Sequence, residues 1–400
     1  MTNQIAIEAD TTSTRASEWG AVFALTLCVS TLIASEFMPV SLLTPIASEL
    51  HVTEGNAGQA IAVSGIFAVL TSLLISAATR GIDRRKVLLS LTFLMGASGL
   101  VVALAPTFTV LMVGRALIGV VIGGFWSMSA ATVMRLVPED EVARALALLN
   151  GGNALATTIA APLGSFLGQY IGWRGAFFAV VPLAVITFAW QFLTLPPMPS
   201  ARAPRASNVF RVLLRPRAPR GVSAVMLLFA GQFALFTYLR PFLETVTGVN
   251  VSTLSLLLLI VGGAGLVGTY LIGSLLKRHL QSLLIAMPVA MAAIALGLAA
   301  LGTSTLATAL LLAGWGLIGT AAPVAWWTWL SRTLPGEAEA GGGLMVAAIQ
   351  LAITAGAALG GVLYDNGGYQ SAFAISAALL VGSALLAASN PSSTATLAGR

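Results

Sequence analysis

The chain has 400 residues, of which 57% are hydrophobic and only 8% are charged, with a mean hydropathy of +0.93. A soluble globular protein is about 45–50% apolar and about 25% charged, so this composition excludes a soluble enzyme. The net charge of +6 does not indicate nucleic-acid binding, because the charged residues are concentrated in the breaks between apolar segments.

Twelve apolar segments follow one another along the chain, and each is close to the roughly 20 residues that a membrane-spanning helix needs. The segments, separated by short polar or turn-rich breaks, are 19–43, 55–78, 87–105, 108–133, 145–168, 174–194, 221–243, 252–276, 280–301, 305–330, 341–363 and 371–388. The sequence therefore predicts an all-α membrane protein with twelve transmembrane helices in two six-helix halves. No room is left for an attached nucleotide-binding domain.

The first segment is predicted to be retained in the mature protein. It runs from Trp19 to Leu43, which is too long for the core of a cleavable signal. The only cysteine, Cys28, lies inside it, so an intrachain disulfide is excluded.

The distribution of basic residues predicts the orientation. If the N-terminus is cytoplasmic, most of the 20 Lys and Arg residues lie in inner loops, as the positive-inside rule requires. Both termini are therefore predicted to be cytoplasmic. The predicted domains are an N-terminal tail (1–18), an N-terminal six-helix bundle (19–194), a Pro- and Arg-rich linker (195–220), a C-terminal six-helix bundle (221–388) and a C-terminal tail (389–400).

The two halves resemble each other in sequence. Residues 111–126 of the fourth segment align with residues 311–326 of the tenth, and Arg115 aligns with Trp315. The halves are thus expected to be specialised, one for charge and the other for aromatic contact.

A second pair of segments repeats in the same order. Residues 163–177 align with residues 359–373, which pairs Gly172 with Gly368. A six-span unit repeated in parallel is typical of transporters whose substrate site lies near the bilayer midplane, between the halves.

Glu36 is the only one of the 14 acidic residues that lies deep within an apolar segment. A charge in hydrocarbon is costly, so such a residue usually faces a cavity or a partner and marks an ion or proton path. Arg115 lies at a similar depth, roughly 10 Å from the outer face. The two side chains are expected to meet, either as a proton-coupling pair or as a static pair that fixes helix packing. Pro39 and Pro45 should kink the same helix and free carbonyl groups near the cavity.

Tryptophan and amide side chains supply candidate contacts for a ring-shaped, weakly polar solute. The tryptophans are Trp126, Trp315 and Trp326, and the amides are Asn150, Asn153, Gln232 and Gln350. Anchoring at the membrane interface is the alternative for tryptophans, and interhelical packing is the alternative for the amides.

A short basic turn, 80–86, joins the second and third segments. Its charge either reflects the positive-inside rule alone or forms a latch with a nearby helix end. No metal, phosphate or cofactor motif is present in the sequence, and no cofactor is predicted.

Three short motifs, 83–86, 114–119 and 161–165, resemble those of the drug:proton antiporter branch of the major facilitator superfamily. Asp83 to Lys86 resembles the family's loop between the second and third spans, although Thr79 replaces the leading glycine of that loop. Residues 114–119 (GRALIG) resemble its fourth-span motif, which implies proton transfer at Arg115. Residues 161–165 (APLGS) resemble its fifth-span antiporter motif, although Ala161 and Ser165 replace glycines there.

Within that branch, residues 35–47, 123–130, 161–168 and 231–241 look most like bacterial purine ribonucleoside efflux pumps. Sugar efflux transporters are the second resemblance, and multidrug efflux is a further alternative. The resemblance implies proton-driven export of inosine- or guanosine-like solutes across the bacterial inner membrane. The implied partners are a small-molecule substrate, protons and the lipid bilayer; a monomer without nucleic acid is expected.

The resulting site hypothesis has three groups of residues. Proton coupling is assigned to Glu36 and Arg115. Substrate binding is assigned to Trp126, Asn153, Gln232, Tyr238, Trp315, Trp326 and Gln350, and gating to Asp83, Arg84, Arg85, Pro162 and Gly164. An intramembrane enzyme and a channel are the competing hypotheses, but the sequence shows no nucleophile with a base in a span and only one buried acid.

Overall fold

The computed structural model describes residues 2–199, 214–215, 217–333 and 338–389. Residues 200–213 and 216 of the predicted linker and residues 390–400 of the predicted C-terminal tail therefore lie outside the described residues. The first helix begins at Thr2, so the predicted N-terminal tail continues the first span as helix. The predicted domain boundaries remain predictions.

The described chain is helical, as the hydropathy pattern predicts. The helices are α1 (Thr2–Glu49), α2 (Glu54–Ala78), α3 (Arg84–Ala103), α4 (Phe108–Leu136), α5 (Val142–Phe178), α6 (Val180–Thr194), α7 (Ala218–Phe236), α8 (Leu239–Thr245), α9 (Val251–Leu301), α10 (Thr305–Thr333) and α11 (Ala338–Ala388), with a short 3-10 turn at Glu139–Glu141. No strand occurs among these residues.

Three helical segments each contain two spans. Among the described residues, nine segments are long and apolar enough to cross a membrane. The backbone leaves helical geometry at Gly172 in α5, at His279 in α9 and at Gly368 in α11. Dividing the segments at these residues gives the twelve predicted spans, and the predicted fold class is confirmed.

Gly172 and Gly368 form equivalent turns in the two halves. Gly172 has φ 70° and ψ 167°, and Gly368 has φ 69° and ψ −171°. Only glycine adopts this region readily, because a Cβ atom clashes there. The sequence alignment pairs the same two residues, so the repeat extends to backbone conformation.

Gly172→Ala should lower the stability of the protein by about 1–3 kcal/mol, the usual cost of holding a non-glycine residue in this region. A β-carbon at Gly172 would have no atom of the described residues within 4 Å, so the loss comes from the backbone alone. Thermal unfolding in detergent measures the change. Gly151→Ala is the control, since Gly151 is helical and equally open; a loss of the same size there would contradict the explanation.

The seventh span is interrupted where one continuous helix was predicted. α7 ends at Phe236 and α8 begins at Leu239. Pro241 explains the break, because it has no N–H for the carbonyl of Thr237. At the start of α8 the same proline is tolerated, since the N–H groups of a first helical turn have no helical partner.

The first six spans pack against one another, and so do the last six. In the first half α1 packs on α5 and α2 on α4; in the second half α7 packs on α11 and α9 on α10. The halves meet where α2 contacts α11, α5 contacts α9, and α1 contacts α8. We call the face that holds the ends of α1 and α8 the outer face, following the predicted orientation.

Candidate functional site between the two halves

Glu36 lies on α1 where the two halves meet, and only 8% of its surface is exposed. Pro39 follows it inside the helix and supplies no N–H to the carbonyl of Ser35, the residue before Glu36. A free carbonyl at this depth needs a donor from a neighbouring helix. The backbone beside Glu36 is therefore a polar site in its own right.

Arg115 of α4 supplies that donor. Its Nη1 donates to the Ser35 carbonyl at 2.9 Å, and its Nη2 donates to the Glu36 carbonyl at 3.1 Å. Two further N–H groups reach α2, where Nε donates to the Ala60 carbonyl at 3.1 Å and Nη2 donates to the Ser64 hydroxyl at 3.1 Å. One guanidinium thus ties three helices of the first half together.

The predicted meeting of Glu36 with Arg115 takes place through the backbone. Among the described residues, the ion pairs do not include one between these two side chains. Arg115 is 1% exposed and its hydrogen bonds go to neutral acceptors, so it holds the backbone that carries Glu36 and leaves the carboxylate available to another partner.

That partner is Gln350 of α11, in the second half. Its Nε2 donates to Oε1 of Glu36 across the interface at 3.4 Å, a long hydrogen bond. Gln350 is as buried as Glu36, with 8% exposed. The predicted coupling residue and one predicted substrate residue are therefore in direct contact.

Gln232 and Trp315 form a second polar group within the C-terminal half. The amide of Gln232 packs on Gly319 of α10, where its Nε2 would lie 2.9 Å from a β-carbon, and Trp315 lies one turn earlier on the same helix face. Oε1 of Gln232 and Nε1 of Trp315 are buried and have no hydrogen-bond partner among the described residues. Buried polar atoms are rarely left in this state, so these two can receive a polar ligand.

The other predicted substrate residues are in different surroundings. Trp326 is 2% exposed and packs edge-on against Trp329, with ring centroids 5.5 Å apart. Trp126 and Asn153 are half-buried. Tyr238 is fully buried, and its hydroxyl donates to the Ala357 carbonyl of α11 at 2.8 Å.

The predicted gating turn contacts the end of the sixth span. Asp83 caps α3 by accepting the N–H of Arg85 at 2.8 Å, and it also accepts the N–H of Met198 at 3.0 Å. Arg85 donates to the Phe192 carbonyl at 2.6 Å, and the Arg84 N–H donates to the Met198 carbonyl at 3.0 Å. The basic turn therefore contacts the end of the sixth span within the first half, and its role as a gating latch stays a prediction.

Pro162 and Gly164 are both buried on α5. Gly164 packs against α1, where its β-carbon would lie 2.6 Å from the Ser41 hydroxyl. Pro162 leaves the carbonyl of Thr158 without its helical donor, and Thr158 contacts Gly262 of α9 in the other half. The two predicted gating residues thus lie in a helix of the first half that contacts the second half.

Sequence reasoning missed an aromatic pair beside this site. Phe37, next to Glu36, stacks on Phe233, next to Gln232, with ring centroids 5.9 Å apart and an angle of 27°. Each phenylalanine adjoins a predicted site residue in the sequence, and this adjacency could have marked both as candidates. Nothing local in the sequence shows that the two rings meet, because they belong to different halves.

The fold, with buried polar groups where its two halves meet, is that of a membrane transporter. The chain belongs to the Major Facilitator Superfamily, whose family model matches residues 23–346, so it is a transporter and not an enzyme. The resemblance inferred from the motifs is confirmed.

Relatives cover nearly the whole chain. It is 43% identical over 370 residues to the purine ribonucleoside efflux pump NepI of Salmonella typhimurium, which covers 92% of this chain and 93% of that protein. It is 55% identical over 390 residues to the transcription regulatory protein OpdE of Pseudomonas aeruginosa, covering 96% of this chain and 97% of that protein.

Solved structures of low sequence identity share the fold. A D-xylose-proton symporter matches with a TM-score of 0.76 at 17% identity, covering 94% of this chain and 98% of that chain. A bacterial homologue of the human lysosomal transporter Spinster matches with a TM-score of 0.70 at 16% identity, covering 94% and 95%.

Proposed function

We propose that the protein is a proton-coupled antiporter that exports purine ribonucleosides of the inosine or guanosine type across the bacterial inner membrane. Both termini lie in the cytoplasm, and the protein acts as a monomer in the bilayer. Its partners are the solute and protons.

The proposal of proton coupling is supported by the contact between Glu36 and Gln350. Ionisable residues inside a membrane usually serve ion or proton movement, and this one lies between two halves that must separate for alternating access. Ionised Glu36 is a hydrogen-bond acceptor only, whereas protonated Glu36 is also a donor. Uptake of a proton therefore changes what Glu36 can offer to Gln350 across the interface.

Substrate binding uses the same amide. A solute that hydrogen-bonds to Gln350 takes this donor from the Glu36 carboxylate, so solute occupancy changes the affinity of Glu36 for a proton and the two binding events are linked. Exchange requires, in addition, that the solute-bound and the proton-bound forms open to opposite faces of the membrane, and this is the antiport that we propose. Arg115 takes part by fixing the position of the Glu36 backbone.

The proposal of a purine nucleoside is supported by the relative named as a purine ribonucleoside efflux pump and by the unsatisfied atoms of Gln232 and Trp315. A purine base has a flat face for an indole and edge atoms that accept or donate hydrogen bonds. The other relative is named as a transcription regulatory protein; that name gives no solute, so it offers no competing substrate.

Transport in proteoliposomes tests this function. With an imposed pH gradient, radiolabelled inosine should move against its own gradient, and a pH dye should report proton flux in fixed ratio to inosine flux. Sugars and cationic drugs, supplied as competitors, should have little effect. Inosine flux that is independent of the pH gradient would refute coupling, and competition by sugars alone would refute the nucleoside assignment.

Trp315→Ala should weaken the binding of inosine roughly tenfold or more, because stacking of a base on an aromatic side chain contributes about 1–3 kcal/mol. Binding of tritiated inosine to the purified protein measures the effect. Trp327→Ala is the matched control, since Trp327 lies on the same helix but is 40% exposed. Equal affinity of the Trp315 variant and the unchanged protein would assign Trp315 to packing.

A further inference from the structure

Proline also frees a carbonyl at the outer end of α1. Pro45 lies inside the helix and brings no N–H, so the Ser41 carbonyl lacks its helical donor. Arg240 of α8, in the second half, donates to this carbonyl through Nη1. Arg240 is 6% exposed, and its Nε is held by Glu244 one turn later at 2.9 Å. A buried guanidinium of one half thus occupies a backbone site opened by proline in the other.

A second contact across the halves lies at the start of α2. Thr53 caps this helix by accepting the N–H of Asn56 at 3.1 Å. Asp365 of α11 completes the cap from the other half, because its Oδ1 accepts the Gly55 N–H at 2.9 Å and its Oδ2 accepts the Thr53 hydroxyl at 2.6 Å. A carboxylate is favoured at a helix N-terminus by the free N–H groups and the helix dipole.

Tyr238 fills the space between these two contacts. Its ring lies between Gly58 of α2 and Gly361 of α11, where β-carbons would approach its hydroxyl to 2.1 and 2.4 Å. Only glycine, which has no β-carbon, leaves room for the tyrosine ring at positions 58 and 361. Tyr238 is therefore a packing element between the halves.

We propose that Arg240 on the Ser41 carbonyl and Asp365 on the N-terminus of α2 form an outer closure that holds the two halves together in the outward-closed state. Both contacts join groups from different halves, so both must break before the outer face opens. Arg240 and Asp365 are positioning residues that set the balance between the two states, and Pro45 acts by keeping the Ser41 carbonyl free. The inference depends on the fold and not on the identity of the solute.

Distance measurements between spin labels test the closure. Labels at Gln169→Cys of the first half and Thr303→Cys of the second lie on exposed outer positions; Cys28→Ala removes the native thiol. Pro45→Ala, Arg240→Gln and Asp365→Ala should each increase the population with a long distance between labels. Loss of one charge-assisted hydrogen bond should raise the ratio of the long-distance to the short-distance population roughly tenfold. No solute or pH gradient is needed, so failure here is independent of the transport assay.

Pro45→Ala carries the sharpest expectation, because it restores the backbone N–H that takes the Ser41 carbonyl away from Arg240. The double variant of Pro45→Ala with Arg240→Gln should open no further than either single variant, as both remove one contact. Arg174→Gln is the control, since Arg174 is an outer arginine that bonds Glu49 and the Ala105 carbonyl within the first half. Unchanged distances in the three variants, or equal opening in the control, would overturn the proposal.

Discussion

Glu36→Gln is expected to abolish solute transport driven by a pH gradient while leaving solute binding and solute exchange measurable. Glutamine has nearly the shape of glutamate, but its amide does not take up a proton as a carboxylate does. Its amide can still hydrogen-bond to Gln350, which now contacts Glu36 at 3.4 Å. The contact between the halves therefore persists, and only the proton-dependent step is lost.

The measurement compares two assays on the same proteoliposomes. Gradient-driven uptake of inosine should fall to the background of empty vesicles, whereas exchange of internal for external inosine should continue. Glu139→Gln removes an exposed carboxylate from a loop and should leave both assays unchanged. Gradient-driven transport that persists in the Glu36 variant would remove Glu36 from the coupling mechanism.

Arg115→Lys should destabilise the protein by at least about 1–3 kcal/mol, the cost of leaving a buried acceptor without its hydrogen bond. The guanidinium bonds acceptors on α1 and α2 in two directions at once, whereas an ammonium group is a compact donor on a flexible stem. At least one buried carbonyl is then left without a partner, which costs about 1–3 kcal/mol by itself.

Thermal unfolding in detergent measures this loss, and transport measured below the unfolding temperature separates folding from function. Arg135→Lys is the control on the same helix, because Arg135 is exposed near the end of α4. An Arg115 variant as stable as the unchanged protein would show that the four hydrogen bonds contribute little. Full transport at normal stability would also remove Arg115 from the proposed site.

Much of the fold was predictable because hydropathy and charge act locally. A span is apolar wherever it meets lipid, and a loop is polar wherever it meets water, so span positions follow from short windows. The spans joined by the tight turns at Gly172 and Gly368 also follow from the sequence, but their ends do not. The polar break is so short there that helix continues on both sides of the glycine.

Parts of the site followed from the sequence for a chemical reason. A proline inside a helix always removes one N–H, so free carbonyls near Glu36 could be predicted from Pro39 and Pro45. The sequence does not show which donor takes each carbonyl. Arg115 and Arg240 come from distant parts of the chain, and only the packing of helices brings them there.

Contacts across the halves were not predictable for the same reason. Glu36 and Gln350 are separated by 314 positions, and no periodicity links them. Phe37 and Phe233 are ordinary apolar residues of their spans. The role of Tyr238 in substrate binding stays a prediction, and the sequence does not show that its ring packs against two glycines contributed by other helices.

The single-residue turns at Gly172 and Gly368 leave no slack between the spans they join. The two spans of each hairpin are therefore expected to tilt together. The span before the glycine reaches the interface between the halves, through Thr158 in α5 and Gln350 in α11. The span after the glycine presents apolar side chains such as Ile186 and Leu385 on the surface. A change in bilayer thickness that tilts this surface span also tilts its partner at the interface, so lipid chain length should alter the turnover of this transporter.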